Sequence, residues 1–311
     1  MTPTPTGPGG SVRRPDRALD AARAAMRSGQ VEAAGELAAE SLEGFRARGD
    51  LDGRMRVLNL LGVIAFERGR LEEAERWLAE ALRLARQLDD TLAAARASNN
   101  LAAAHHLRGR VAQALSLYRT ALLDYQRLGD RRGAAETYHN LGIAFRLQGD
   151  WQAAEDAIAE AARHAEVAGA PGLLALVAIG RAELLIDRGE LALAAPEIER
   201  AARLAGEAGD EISLGETRRL RALAALRRGE AELAAAEAEA ARTAAERSGA
   251  ALLRAEAAGV LALALRRLGR VTEAEARREE ARAAYRALGA TLLEARLERE
   301  WEGAPDLGSG Q

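Results

Sequence analysis

Glycine recurs every twenty residues in one phase: Gly29, Gly49, Gly69, then Asp89, then Gly109 and onward at the same interval to Gly289. Thirteen of the fourteen slots hold glycine in a chain with only 30 glycines among 311 residues, so structure imposes the spacing. Glycine ends helices because the residue after the last turn often needs φ > 0, which a Cβ disfavours. A regular beat of such residues predicts a train of helices of nearly equal length, about sixteen residues each, joined by short turns.

The chain supports an all-helical reading. It is 48% hydrophobic but 3% aromatic, with 29% charged residues, and every basic residue is Arg. Ala, Leu, Glu and Arg are the strong helix formers. A net charge of −3 and a pI near 6.0 argue against a nucleic-acid partner, whose binding face would be basic. No stretch approaches eighteen consecutive apolar residues, so no membrane span is expected. The first ten residues, MTPTPTGPGG, lack the apolar centre of a secretory signal. With no Cys, disulfides and thiolate metal sites are excluded. A soluble cytoplasmic protein is the expectation.

The two alternate glycine series differ in context, so the true period is forty. One series reads x-Gly-[RDEQ]-[LVWA]-x-x-Ala, as in RGRLEEA at 68–74, RGRVAQA at 108–114 and QGDWQAA at 148–154. Its final Ala occurs in all seven copies, from Ala34 to Ala274, and a second small residue follows seven positions later, from Ser41 and Ala81 to Ala281. Small residues seven apart share a helix face and let a partner helix approach closely. In the other series Asp50, Asp90, Asp130 and Asp210 stand where a following helix needs an N-cap. Each forty-residue unit is therefore helix A, turn, helix B, turn.

Segments such as NLLGVIAFERGRLEEAERWLAEALRLARQL (59–88) resemble tetratricopeptide repeats, with the expected small residue of helix A at Gly62, Ala102, Gly142, Ala182, Ala222 and Ala262. The forty-residue period is similar to the repeats of kinesin light chains, of spindle adaptors that bind Gα, and of bacterial peptide sensors. The resemblance implies an all-α, right-handed α-solenoid of about seven helical hairpins over residues 15–290. Repeats are expected at about 15–50, 51–90, 91–130, 131–170, 171–210, 211–250 and 251–290, with a capping helix at 291–302. Residues 1–14 and 303–311 read as disordered tails. Pro196 falls inside helix B of the fifth unit, where a kink is expected to separate units 1–5 from 6–7. The Ala-rich last units are expected to be the less stable end.

The resemblance places the A helices on the concave face. Their inner stripe falls two, three and six residues before the small residue, and one, four and five after it. In units two to four the stripe holds Arg56, Asn59, Arg96, Asn99, Asn100, Glu136, His139, Asn140 and Arg146. An amide offers both a donor and an acceptor, which suits gripping a peptide backbone. The family uses such Asn and Arg positions in this way, Asn100 and Asn140 matching best, and the Arg residues suit acidic or C-terminal carboxylates. The fifth unit offers an apolar floor with Leu176, Ile179 and Ile186, or these side chains pack against the neighbouring unit. The sixth and seventh return to charge with Glu216, Arg219, Arg227 and Glu256. His105 occupies an aromatic core slot, whereas His106 and His139 point towards the groove.

No H-E-x-x-H spacing, phosphate loop or nucleophile constellation occurs, so neither a cofactor, a metal nor catalysis is expected. The expected function is a non-enzymatic scaffold that binds a peptide or helix of another protein in its groove. The alternative is a sensor in which a small peptide alters the superhelix and so controls a partner such as a transcription regulator. The turn at Asp89 is the first place to look for a ligand.

Overall fold

A computed structural model describes residues 15–303, so the tails expected at 1–14 and 303–311 lie, but for Gly303, outside the described residues. Fifteen α-helices account for the described chain and pair into hairpins, as the repeat demands. The first four pairs are α1 (Pro15–Arg27) with α2 (Val31–Ala47), α3 (Leu51–Glu67) with α4 (Leu71–Gln87), α5 (Thr91–Leu107) with α6 (Val111–Leu128), and α7 (Arg131–Gln148) with α8 (Trp151–Ala168). The next three are α9 (Pro171–Asp187) with α10 (Leu191–Ala208), α11 (Glu211–Arg228) with α12 (Ala231–Ser248), and α13 (Ala251–Arg267) with α14 (Val271–Leu288). A single helix, α15 (Thr291–Glu302), ends the series.

Local chemistry sets this rhythm. All thirteen periodic glycines have positive φ, and Asp89, at the one exceptional slot, is held at φ 54°. At that turn the Asp90 amide donates to the Ala85 carbonyl at 2.9 Å, the six-to-one bond of a Schellman end. Asp50, Asp90, Asp130 and Asp210 then cap the next helices, accepting from the amides of Gly53, Ala93, Gly133 and Ser213 at 2.8–3.0 Å. Each such cap contributes about 1 kcal/mol. Asp150 caps α8 in the same way through the Ala153 amide, at 3.1 Å.

Packing follows the small-residue stripe. Ala34, Ala74, Ala114, Ala154, Ala194, Ala234 and Ala274 are fully buried, as are Ser41 and the alanines seven residues after the others. Where the next unit approaches, aromatic rings fill the space that two glycines leave: Phe45 against Gly53 and Tyr125 against Gly133. Pro196 does not break its helix. It sits inside an uninterrupted α10, and one apolar cluster runs from Ile179 and Ile198 through Leu223 to Leu265. The expected division between units 5 and 6 is therefore absent, because packing across the hairpins overrides one missing amide donor. In the Ala-rich units the bulk comes from the A helices, with Leu220, Leu223, Leu226, Leu261, Leu263 and Leu265 buried.

The superhelix closes on itself. Leu288, at the end of α14, packs over Gly69 in the turn between α3 and α4, and Thr291 sits against Gly109 in the turn between α5 and α6. Leu107 of α5 joins the C-terminal cluster of Tyr285, Leu288, Leu293 and Leu297. The seventh unit and its cap thus lie across the mouth that units 2 and 3 would otherwise leave open.

Candidate binding channel

Closure turns the concave face into a channel. A cavity of about 250 Å³ is lined by residues from α3, α5, α6, α7, α9, α11, α13 and α15, among them Phe66, His106, His139, Arg146, Ile179 and Leu293. A second of about 460 Å³ adjoins it, sharing Phe66, Ala103, His139, Asn140 and Leu176 and adding Asn99, Asn100 and Glu136. Of the eighteen residues lining the first, all but Tyr118, Leu252 and Leu293 stand on the A-helix stripe defined by the repeat. The stripe faces the channel because every A helix presents the same surface to the superhelix axis.

The amide residues are already engaged with one another. The Asn100 side-chain Nδ2 donates to Asn59 Oδ1 at 3.3 Å, and Asn140 Nδ2 donates to Asn99 Oδ1 at 3.2 Å. Both pairs lie 41 residues apart, so they tie neighbouring A helices together. An amide has further donor and acceptor capacity, and Asn99, Asn100 and Asn140 still line the second cavity. Arg56 and Arg96 stand apart from both cavities: Arg56 pairs with Asp52 at 2.9 Å beside the Phe45 ring, and Arg96 is exposed.

Arg146 and Arg219 are not free to greet a ligand carboxylate. Arg146 bonds Glu183 at 2.9 Å and Asp187 at 2.6 Å, while Arg219 bonds Glu183 and also Glu216 at 2.7 Å, with Glu256 3.7 Å away. Arg296 of the cap reaches Asp187 at 2.7 Å, across 109 residues of sequence. With Arg227 near Asp187 at 4.0 Å and Glu300 paired to Arg296 at 2.9 Å, five carboxylates (Glu183, Asp187, Glu216, Glu256 and Glu300) meet four guanidiniums (Arg146, Arg219, Arg227 and Arg296), leaving one carboxylate in excess. Burial would raise the Glu183 carboxyl, but Arg146 and Arg219 overturn that and hold it down at about 2. Glu216 bears the mismatch: burial, with Glu256 and Glu183 close by, lifts it to about 7 against the pull of Arg219. Burial likewise raises Glu256.

The histidines separate by environment. His105 is half-buried, with Nδ1 3.1 Å from Glu75 Oε1, so the imidazole in this aromatic slot faces a carboxylate of α4. His106 and His139 line the first cavity and are only 3% and 9% exposed, because closure has roofed the groove. His164 stacks on Tyr138 with centroids 5.5 Å apart. Ile179 is buried within the core cluster and still contributes to the cavity wall, whereas Ile186 is core. Asp89 lines neither cavity; its turn carries a left-handed backbone at φ 54°.

Charge pairing between adjacent A helices was the overlooked element. Arg146 with Glu183 and Asp187, and Arg219 with Glu183, lie one repeat apart give or take four residues, a spacing already present in the sequence. The contribution of the cap, through Leu293 and Arg296, had no such signal. Among the described residues no group of three or more His, Cys, Asp or Glu could hold a metal ion, and no helix is long and apolar enough to cross a membrane.

Comparison with known proteins agrees with this geometry. The tetratricopeptide-repeat family model matches residues 16–87 and 93–166. Over those residues the chain matches the family's repeats, and its fifteen described helices form a helical array of the tetratricopeptide type. No curated protein matches it in sequence. The array is similar in structure to a Rap protein complexed with Competence and Sporulation Factor, with TM-score 0.74 and 14% identity over 92% of this chain and 76% of that one. It is also similar to NprR in complex with its cognate peptide NprX, with TM-score 0.71 and 14% identity over 94% and 82% of the two chains. Aspartyl phosphate phosphatase F from Bacillus subtilis aligns with TM-score 0.57 and 12% identity over 99% and 98%. At such identities the likeness is one of fold.

Proposed function

We propose that this repeat array is a non-enzymatic, cytoplasmic binding protein that takes a short, extended peptide into its central channel. The observation that carries the reading is the convergence of the A-helix stripes of units 2–7 on cavities of about 250 and 460 Å³ beneath a closed superhelix. A bound helix is about 10–12 Å across with its side chains, which favours an extended segment over a helical one. Asn99, Asn100 and Asn140 offer donors and acceptors along one wall, and Phe66, Ile143 and Leu176 offer apolar surface on another. The cognate peptide bound to NprR and the Competence and Sporulation Factor bound to a Rap protein, both of the same fold, support the assignment.

A peptide that bridges several units would alter their packing, since successive units stack on one another and the cap ties the seventh to the second and third. The regulatory reading therefore gains over the passive scaffold: closure by the cap couples channel occupancy to the shape of the whole array. The test is affinity selection from a random heptapeptide mixture, followed by titration of selected peptides against the native chain and against Asn100→Ala/Asn140→Ala. Affinity should fall by about 1–3 kcal/mol with helicity unchanged. Solution scattering should show a change in dimensions on binding. Selection of no peptide, or equal affinity for the double variant, would overturn the reading.

A further inference from the structure

His106 and His139 make no hydrogen bond to any described residue, although both are almost fully buried and line the same cavity. Buried polar groups are nearly always paired, so two unpaired imidazoles in one cavity call for an explanation. Nε2 of His106 and Nδ1 of His139 are fully enclosed without a partner. An enclosed nitrogen with no acceptor is better left as a lone pair than as an orphan N–H. That choice places each ring proton on the other nitrogen, Nδ1 of His106 and Nε2 of His139. Burial beside the Arg146 guanidinium pushes both imidazoles down to about 4, so at neutral pH they are uncharged. Arg146 Nε is a third enclosed donor without a partner at the same cavity.

Beside the ionic groups, Asn140 and Tyr118, the rest of the wall is apolar: Phe66, Ile143, Leu147, Leu176, Leu252 and Leu293. Both guanidiniums of the wall are engaged, Arg146 by Glu183 and Arg219 by Glu183 and Glu216, so a ligand carboxylate would find no free cation. The surplus carboxylate lies with Glu216 and Glu256, which burial raises towards their neutral form rather than leaving charged for a ligand cation. The volume of about 250 Å³ is below the roughly 300–1,000 Å³ of pockets that hold drug-sized molecules. It suits one residue rather than a whole peptide. The His139 ring is fixed in place by α9: a Cβ on Gly180 would lie 3.2 Å from its Cε1 and Nδ1.

We propose that this cavity is a specificity pocket for one uncharged, apolar peptide residue, whose flanking backbone carbonyls accept hydrogen bonds from His106 and His139. The pocket rests on the peptide-binding reading above and narrows it, since it dictates a Leu-, Ile-, Met- or Phe-like residue at one position of the peptide.

Four histidines in the chain make the imidazole signals of the full-length protein easy to follow by NMR. The probe is N-acetyl-L-leucinamide, which carries one apolar side chain between two carbonyls; N-acetylglycinamide and N-acetyl-L-lysinamide are the controls. The leucine compound should shift the His106 and His139 signals saturably at millimolar concentration and leave His105 and His164 unmoved, with both controls at least tenfold weaker. His106→Phe and His139→Phe, which keep ring volume but remove the donors, should each weaken it severalfold. No saturable shift, equal response to the glycine or lysine compound, or shifts at His105 and His164 alone would overturn the proposal and leave the cavity to water. The comparison between compounds needs only the native protein, so a variant that fails to fold does not blunt it. Selected peptides that bind through the Asn wall while the leucine compound does not would sink the pocket and spare the channel.

Discussion

Arg146→Met is the most informative single change in the channel. The guanidinium is 7% exposed and makes two short charge-assisted bonds, to Glu183 at 2.9 Å and Asp187 at 2.6 Å. Breaking a buried ion pair from one side costs about 3–5 kcal/mol, because the stranded charge is left without compensation. Here each carboxylate keeps a second partner, Arg219 for Glu183 and Arg296 for Asp187 at 2.7 Å. We therefore expect the loss to be about 2–4 kcal/mol. Adding Glu183→Gln to Arg146→Met should recover part of it, with a coupling of about 1–3 kcal/mol. The assay is urea unfolding read by far-UV circular dichroism and by tryptophan fluorescence, with coincident transitions and unchanged m-values as the condition for comparing free energies. A loss under about 1 kcal/mol, or strictly additive effects in the double variant, would refute the view that the array is clamped by a buried, undercompensated ion network.

The same network fixes a pH dependence. The Glu216 carboxyl is lifted to about 7 in the folded chain against an ordinary 4.5, so its stabilising contribution is full below 4.5 and is lost as pH rises from there through 7. Glu183, held near 2, works oppositely, its contribution being lost only as pH falls from 4.5 through 2. His106 and His139, held near 4, oppose the Glu216 trend, each adding stability as pH rises from 4 through 6.5. The Glu216 share is therefore read by difference: between about pH 5 and 8.5 the native chain should lose about 1–3 kcal/mol relative to Glu216→Gln in denaturation curves. Asp89→Gly should stabilise the chain by about 0.5–1 kcal/mol, relief of the left-handed backbone exceeding the extra entropy of glycine in the unfolded state; a fall in midpoint would contradict it. Leu288→Ser with Leu293→Ser should loosen the contact of the cap with Gly69 and Leu107 and enlarge the radius of gyration in solution scattering at unchanged helicity.

What the sequence revealed divides by range of interaction. Helix ends, N-caps and the fully buried alanine stripe are decided by residues within one turn or one hairpin, and a strict period repeats the evidence seven times. Asp89 shows how strong that signal is, since it takes the glycine conformation without being glycine. The A-helix stripe was legible for the same reason: a position defined by its offset from Gly62 or Ala102 keeps its direction in every unit. Individual roles were less so. Arg146 and Arg219 look like hands offered to a ligand until the neighbouring helix supplies Glu183. The Asn residues look free until Asn59 and Asn99 are seen one repeat away. Pro196 misleads for the opposite reason, a local rule yielding to packing.

Closure lies beyond both ranges. It depends on the small rotation between successive units, accumulated over five hairpins, and no residue pair announces it. Yet it decides what the inner stripe can do. An open groove would leave His106 and His139 hydrated and would accept a helix; the closed array buries both rings and offers a narrow channel. The C-terminal cap is therefore more than a cover for the last apolar face. It contributes Leu293 to the channel wall and Arg296 to the Asp187 pair, so it touches both the space a peptide would fill and the charges that stiffen that space. Any ligand that enters must either fit beneath the cap or move it. In both cases binding is linked to the contact between the seventh unit and the turns of the second and third, which gives a peptide of a few residues purchase on the shape of the whole array.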